Sequence, residues 1–407
     1  MTRAGGSPRI WTGPFVALFA INLVITFAQF MTISLIPKLA VSLGATSITV
    51  GVVTGIFAVT ALAVRPAVGW ATLKVRHSYL LMGTLALIIV AFVLYGISDS
   101  IPVLIAARLL HGAAMGFLAP VTLALASNAL PASRMAQGIG VFSLGQAVST
   151  AVGPSVGLWL LETFGSLPSF LLGAVLLLGA AVAAGFIRSP RPGPAAEQRF
   201  GWRSFIAVEA IVPATVMLCL AGAFSGVNAF IVLYGEARGV AQIGLFFAAY
   251  AVFILLSRPL AGRLADTYGL TVVIVPGLLM FAVSFIVISQ VTTLTGFLIA
   301  GAISALGYGI CQPAIQTLSL MSVSPERRGV ASNTNYIGID LGYLLLPVAA
   351  GWIVTASMDA GAATSDAYSM MYLVLIVPIG IGLLVFLLFG RGSRGPGHAE
   401  PLVELDE

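Results

Sequence analysis

The sequence predicts an all-α membrane protein, with twelve transmembrane helices in two pseudo-symmetric six-helix bundles. Three observations predict it. Hydrophobic residues make up 59% of the 407-residue chain and charged residues only 8%, where a soluble domain carries about a quarter charged residues. Mean hydropathy is +1.06, so the chain cannot cover a water-facing surface. Apolar runs near the ~20 residues that span the hydrocarbon layer recur from end to end. Finally, sliding the first half forward by 193 positions, without a gap, sets rare residues on their own kind. Arg65-Pro66-x-x-Gly69 falls on Arg258-Pro259-x-x-Gly262, Gly116 on Gly309, Pro120 on Pro313, Arg134 on Arg327, Gly145 on Gly338 and Pro154 on Pro347. Chance gives roughly half a proline match at one offset, so three carry weight as the mark of a duplication.

The spans fall at about 13–36, 46–66, 79–97, 101–128, 136–161 and 167–187, then 204–233, 241–260, 271–289, 294–321, 330–355 and 370–390; they are numbered 1 to 12 in that order. Polar and turn clusters separate them, such as Ser98-Asp99-Ser100 and Pro131-Ala132-Ser133-Arg134. The first run, from near Trp11 to about Ile36, is too long for a removable signal peptide and lacks a small-residue cleavage site, so it is expected to stay as a membrane anchor. Between the halves lies RSPRPGPAAEQRFGWR, with four arginines and three prolines and no apolar run. The expected organisation is therefore an N-terminal bundle over 1–187, a basic linker over 188–203, a C-terminal bundle over 204–390 and a tail over 391–407 that ends acidic and is expected to be disordered. Cys219 and Cys311 both sit in apolar runs and read as small packing residues, with no disulfide framework.

Basic residues set the orientation. With the N-terminus inside, sixteen lysines and arginines fall at cytoplasmic ends and loops, among them Arg65, Lys74, Arg258 and Arg263. Only Lys38 and Arg238 fall outside, and Arg108 lies within a helix. That bias is expected to place linker and both termini in the cytoplasm. The net charge of +5 is spent on this topology, and no nucleic-acid partner is expected.

Polar residues within the spans follow a period of three. Spans 3, 6, 9 and 12 contain no Asp, Glu, Lys, Arg, His, Asn or Gln, whereas spans 1, 4, 7 and 10 hold Asn22 and Gln29, Arg108 and His111, Asn228, and Gln312 and Gln316. An all-apolar helix faces lipid and a helix with a polar stripe faces protein or water. The first span of each triplet is thus expected to line an interior cavity and the third to face lipid. Asn22, Thr26 and Gln29 share one helical face, as do Arg108, His111 and Gly112 in span 4, Tyr308, Gln312, Gln316 and Ser319 in span 10, and Asn333, Tyr336, Asp340, Tyr343 and Pro347 in span 11. Each amide can serve a helix-to-helix hydrogen bond or a ligand, and four stripes on corresponding spans favour a binding cavity.

Asp340 and Arg108 are the costly residues, since a charge at mid-bilayer costs about 2.5–3.5 kcal/mol even on the mildest scale. Asp340 lies near the midplane, and is either a proton carrier or a structural acid bonded to Tyr336 or a neighbouring helix. Arg108 cannot release its proton and reads as a fixed countercharge for an acid or an anionic ligand. His111 reads either as a neutral core residue or as a proton site. Glu209 reads as interfacial. Gly145, Gly153-Pro154 and Gly157 in span 5 allow close helix approach and a bend, which Gly338 and Pro347 repeat. No metal-ligand spacing, catalytic cluster, nucleotide loop or sizeable extramembrane domain is present in the sequence, which disfavours a membrane-embedded enzyme or receptor.

Several of these residues resemble the signature motifs of the major facilitator superfamily. Gly262-Arg263-Leu264-Ala265-Asp266-Thr267-Tyr268-Gly269 resembles its loop motif of Gly, three residues, Asp, then Gly. The corresponding first-half loop keeps Gly69 but has Leu73 at the acidic position. Arg108-Leu109-Leu110-His111-Gly112 resembles the helix-4 motif, with His111 where Gln is common. Gly145 with Gly153-Pro154-Ser155-Val156-Gly157 resembles the helix-5 motif of exporters and proton antiporters, with Leu158 at the final glycine position. The resemblance implies two bundles that rock about a central site. It implies efflux of a small organic molecule in exchange for protons, or alternatively uptake of a metabolite by symport or facilitation on the same fold. Substrate contacts are expected from Asn22, Gln29, Arg108, His111, Asn228, Gln312 and Gln316, and gating from Arg65, Gly69, Gly145, Gly153, Pro154, Gly157, Arg258, Gly262 and Asp266. Many proton-driven exporters carry an acid in span 1; this span has only Asn22 and Gln29, so proton coupling rests on Asp340 or is absent. The expected partners are the lipid bilayer, a small-molecule substrate and protons, with the proton gradient as driving force, no cofactor and a monomeric chain.

Overall fold

The computed structural model describes residues 11–131, 134–187, 189, 206–324 and 327–390. The predicted tail, and the predicted linker apart from Ser189, lie outside the described residues. Span 1 is the helix Gly13–Ser42, and span 2 runs as two helices, Ser47–Gly55 and Phe57–Lys74. Spans 3 to 6 are His77–Gly96, Ile101–Asn128, Met135–Phe164 and Ser166–Gly185. Span 7 is Ile211–Ala237, entered through the single turn Val208–Ala210; spans 8 to 11 are Leu245–Tyr268, Thr271–Gln290, Leu294–Met321 and Arg328–Asp359. Span 12 is again two helices, Thr364–Val374 and Ile376–Phe389. Among the described residues, twelve helical stretches are long and apolar enough to cross a membrane.

Local chemistry explains the ends. The backbone N–H groups of Phe15, Thr49 and Gly296 donate to Thr12, Thr46 and Thr293 Oγ1, capping spans 1, 2 and 10. Gly165, at φ 83°, is the sole residue between spans 5 and 6; only glycine takes that conformation without strain. The interruption of span 12 follows from Pro378, which has no N–H for the carbonyl of Val374, the last residue of its first helix.

Pairing repeats between the halves. Span 1 packs on span 5, span 2 on span 4, and span 3 on spans 4 and 6. In the second half span 7 packs on span 11, span 8 on span 10, and span 9 on spans 10 and 12. The halves meet through spans 2 and 11, spans 5 and 8, and spans 1 and 7. Span 7 is the most enclosed helix, with 94% of its apolar window buried. The outer surface is apolar: span 6 presents Leu171, Val175, Leu178 and Val182, and span 12 presents Val377, Ile381, Leu384 and Leu388. Both sets are spaced 4, 3, 4, one helical face turned to lipid.

Candidate functional site

A cavity of about 1060 Å³ lies between the halves, walled by spans 1, 2, 4, 5, 7, 8, 10 and 11. Among the described residues, spans 3, 6, 9 and 12 contribute nothing to that wall. The three-span period in the sequence is therefore a radial map: polar spans inward, apolar spans outward. What the period omits is the middle span of each triplet, which also reaches the cavity.

The cavity runs to the end of the molecule that carries the linker, where Lys74, Gly329 and Asn333 line it. Four contacts close the opposite end. Gly51 of span 2 lies directly against the backbone of Pro347, and Gly351 of span 11 against that of Ser47. At Gly244, before span 8, a Cβ would sit 3.1 Å from Ser155 Cα on span 5. Lys38 Nζ, at the end of span 1, meets Glu236 Oε1 of span 7 at 2.6 Å.

The charged residues of the wall divide by what satisfies them. Asp340 Oδ2 on span 11 takes Arg65 Nη2 of span 2 at 2.5 Å and its Nε at 2.7 Å. The same guanidinium lies over the Tyr336 ring, 5.1 Å from its centroid. This ion pair joins the two halves, and both side chains are nearly buried. Arg108 faces no carboxylate among the described residues. Its Nε donates to the Val53 carbonyl at 2.9 Å and its Nη2 to that of Thr54 at 2.6 Å, in the turn before span 2 breaks at Ile56. Its plane lies over Phe57, 4.5 Å from the ring centroid. Arg108 therefore fastens span 4 to span 2 as well as lining the cavity.

His111 exchanges a hydrogen bond with Tyr95 through Nδ1 at 3.0 Å, and its Nε2 has no partner among the described residues. Asn228 Nδ2 donates to the Tyr343 hydroxyl at 3.1 Å, leaving Oδ1 unpaired. Gln29 and Gln312 also line the cavity. Asn22 and Gln316 do not; the Asn22 amide donates to the Phe142 carbonyl at 3.3 Å, and Thr26 Oγ1 meets Ser149 Oγ at 2.8 Å, a polar seam between spans 1 and 5.

The residues assigned to gating scatter. Gly145, Gly153 and Gly157 face span 1, and Ser34 Oγ donates to the Pro154 carbonyl at 2.9 Å. Gly262 has open space around it. Gly69 and Asp266 fall within helices, and their surroundings lie outside what is described. Arg65 and Arg258, counted in the sequence among the cytoplasmic ends, sit in the cavity wall. Sequence reasoning also passed over Thr54, Phe57 and Tyr250, which line the site; their only signal is a place on the inward face of spans 2 and 8.

The Major Facilitator Superfamily profile matches residues 18–241 and 214–404. Multidrug resistance protein 1 of Bacillus subtilis (strain 168) is 21% identical over 383 residues, 92% of this chain and 94% of that protein. The staphylopine export protein of Staphylococcus aureus (strain Mu50 / ATCC 700699) is 23% identical over 60% of this chain and 64% of its own length. Among solved structures, an inward-facing, unoccupied bacterial homolog of the human lysosomal transporter Spinster superimposes with a TM-score of 0.76, at 16% identity, covering 96% of this chain and 99% of that one. With its twelve spans, two matched halves and central cavity, the chain belongs to the major facilitator superfamily and is a membrane transporter, not an enzyme.

Proposed function

We propose that the protein exports a small organic molecule, a drug or a metabolite, in exchange for protons. The observation that carries this reading is the Arg65–Asp340 pair, an acid and a base on opposite halves in the wall of the cavity. A proton reaching Asp340 removes the charge that holds Arg65, and with it a tie between spans 2 and 11. Proton uptake then biases the two bundles between their arrangements, as alternating access requires. The similarity to a multidrug resistance protein and an export protein supports the direction of transport.

Orientation agrees with it. Removing Arg65 and Arg258 from the sixteen inside cations leaves fourteen against two, so the positive-inside bias still puts the linker end in the cytoplasm of a bacterial inner membrane. The cavity then opens inward, the state in which an exporter loads and an importer would release.

Everted membrane vesicles provide the test. Adding a transported compound should collapse an acid-inside pH gradient, and Asp340→Asn should abolish the collapse while the protein still reaches the membrane. An Asp340→Asn protein that still exchanges protons for substrate would remove the coupling assignment. Accumulation of substrate by whole cells, in place of its expulsion, would reverse the direction to uptake.

A further inference from the structure

Among the described residues, the cavity wall carries three arginines, Arg65, Arg108 and Arg258, against one carboxylate, Asp340. Two of the three arginines are accounted for within the protein, Arg65 by Asp340 and Arg108 by two carbonyl groups. Arg258 is not. It lies inside the apolar stretch Leu245–Ala265 of span 8, with no ion pair among the described residues and a buried Nε that has no hydrogen-bond partner. A charge held at that depth needs either a partner or a purpose.

The internal duplication shows what is missing. Arg258 is the equivalent of Arg65 at the 193-residue offset, and the equivalent of Asp340 is Ala147 on span 5, which also lines the cavity. The first-half arginine meets its acid on the opposite half, whereas the position matching that acid for the second-half arginine is alanine, which leaves Arg258 a bare cation at the cavity. The surroundings suit a ligand. The Tyr250 and Tyr308 hydroxyls lie within electrostatic reach of Arg258. Phe224 stacks on Tyr308 at 4.2 Å and on Tyr250 at 5.2 Å, an aromatic stack in the cavity wall. Other buried polar atoms without partners among the described residues also belong to the cavity: Asn228 Oδ1, His111 Nε2 and Thr54 Oγ1.

We propose that the cavity takes an organic anion, whose negative group is anchored by the Arg258 guanidinium and whose apolar body lies against Phe224 and Tyr308. A planar guanidinium binds a carboxylate through two parallel hydrogen bonds, and in a partly dry site that contact is strong. The surplus of positive charge in the wall disfavours a cationic ligand. This assignment rests on the transport reading and narrows its substrate to one charge class.

The test is equilibrium binding to the full-length protein purified in detergent, with no gradient present. Calorimetric titrations use acid and amide pairs that share an apolar body: benzoate and benzamide, 1-naphthylacetate and 1-naphthylacetamide, decanoate and decanamide. At least one acid should bind about tenfold or more tightly than its amide. Arg258→Gln should bring that ratio close to one, and Arg258→Lys should restore part of it. Ala147→Asp should also abolish the preference, by supplying the carboxylate the second site lacks while keeping the arginine. Should Arg258→Gln fail to fold, Ala147→Asp decides. No preference for any acid, or a preference unchanged in both the Gln and Asp variants, overturns the proposal. Absence of an anion preference in the unmutated protein, with intact Asp340-dependent proton exchange, would remove the anchor and leave the export reading standing; an anion preference without such exchange would do the opposite.

Discussion

Breaking the Arg65–Asp340 pair one member at a time should cost far more than removing both. Both side chains are nearly buried, at 13% and 11% exposure, and the pair makes two short contacts. Asp340→Asn leaves a guanidinium in the wall without a counter-ion, and Arg65→Gln leaves a carboxylate. Removing one partner of a buried pair costs about 3–5 kcal/mol, and an orphan charge at mid-bilayer about 2.5–3.5 kcal/mol. Because the pair borders a cavity that admits water, the lower end applies, about 3 kcal/mol for each single variant. The double variant leaves no orphan and should lose about 1 kcal/mol or less, so the coupling energy should reach about 5 kcal/mol. Reversible unfolding of the four proteins in mixed detergent micelles completes the cycle. Additive losses, with the double variant as unstable as the sum of the singles, would refute the claim that these charges satisfy each other.

Other outcomes follow from the same geometry. Gly145→Ala should be silent within about 0.5 kcal/mol, since its Cβ would meet nothing closer than Asn22 Nδ2 at 3.5 Å. Gly153→Ala should cost about 1–3 kcal/mol, because its Cβ would stand 2.9 Å from Phe30 Cβ; the two melting curves decide. Arg108→Lys should destabilise by about 2 kcal/mol, as an ammonium cannot reproduce the fork to the Val53 and Thr54 carbonyls or the stack on Phe57. Equal melting temperatures would refute the fastening role. Gly51→Leu should hold the far end apart by pressing on the Pro347 backbone. A cysteine placed at Ile36 in the cavity wall should then react faster with a membrane-impermeant thiol reagent added from that side; an unchanged rate would refute the closure contact.

The span count, and the inward sense of the first and outward sense of the third span of each triplet, were legible because a bilayer imposes a length and forbids unpaired polar groups. Rare prolines and arginines in register showed the duplication. Pairing across 275 positions was not legible: nothing near Asp340 points to Arg65. Arg65 and Arg258 read as loop-end cations because each stands close to the end of its apolar run, whereas the helices continue to Lys74 and Tyr268. The predicted start of span 7, at 204, lies outside the described residues, and the span is described from Val208. Asn22 shares its face with Gln29, yet the former bonds to span 5 and the latter lines the cavity. Which of two polar residues on one helix faces a partner depends on the tilt of both helices, and a linear pattern carries no tilt.

The near-complete enclosure of span 7 bears on biogenesis. Its apolar composition lets it leave the translocon alone, but its final neighbours include spans 10, 11 and 12, which are synthesised later. During translation it must sit solvated by acyl chains, with Asn228 facing them, until those later helices emerge and displace the lipid. A nascent chain arrested before span 10 would therefore be correctly threaded yet unassembled, and quality-control proteases that survey the bilayer would meet their target at that stage.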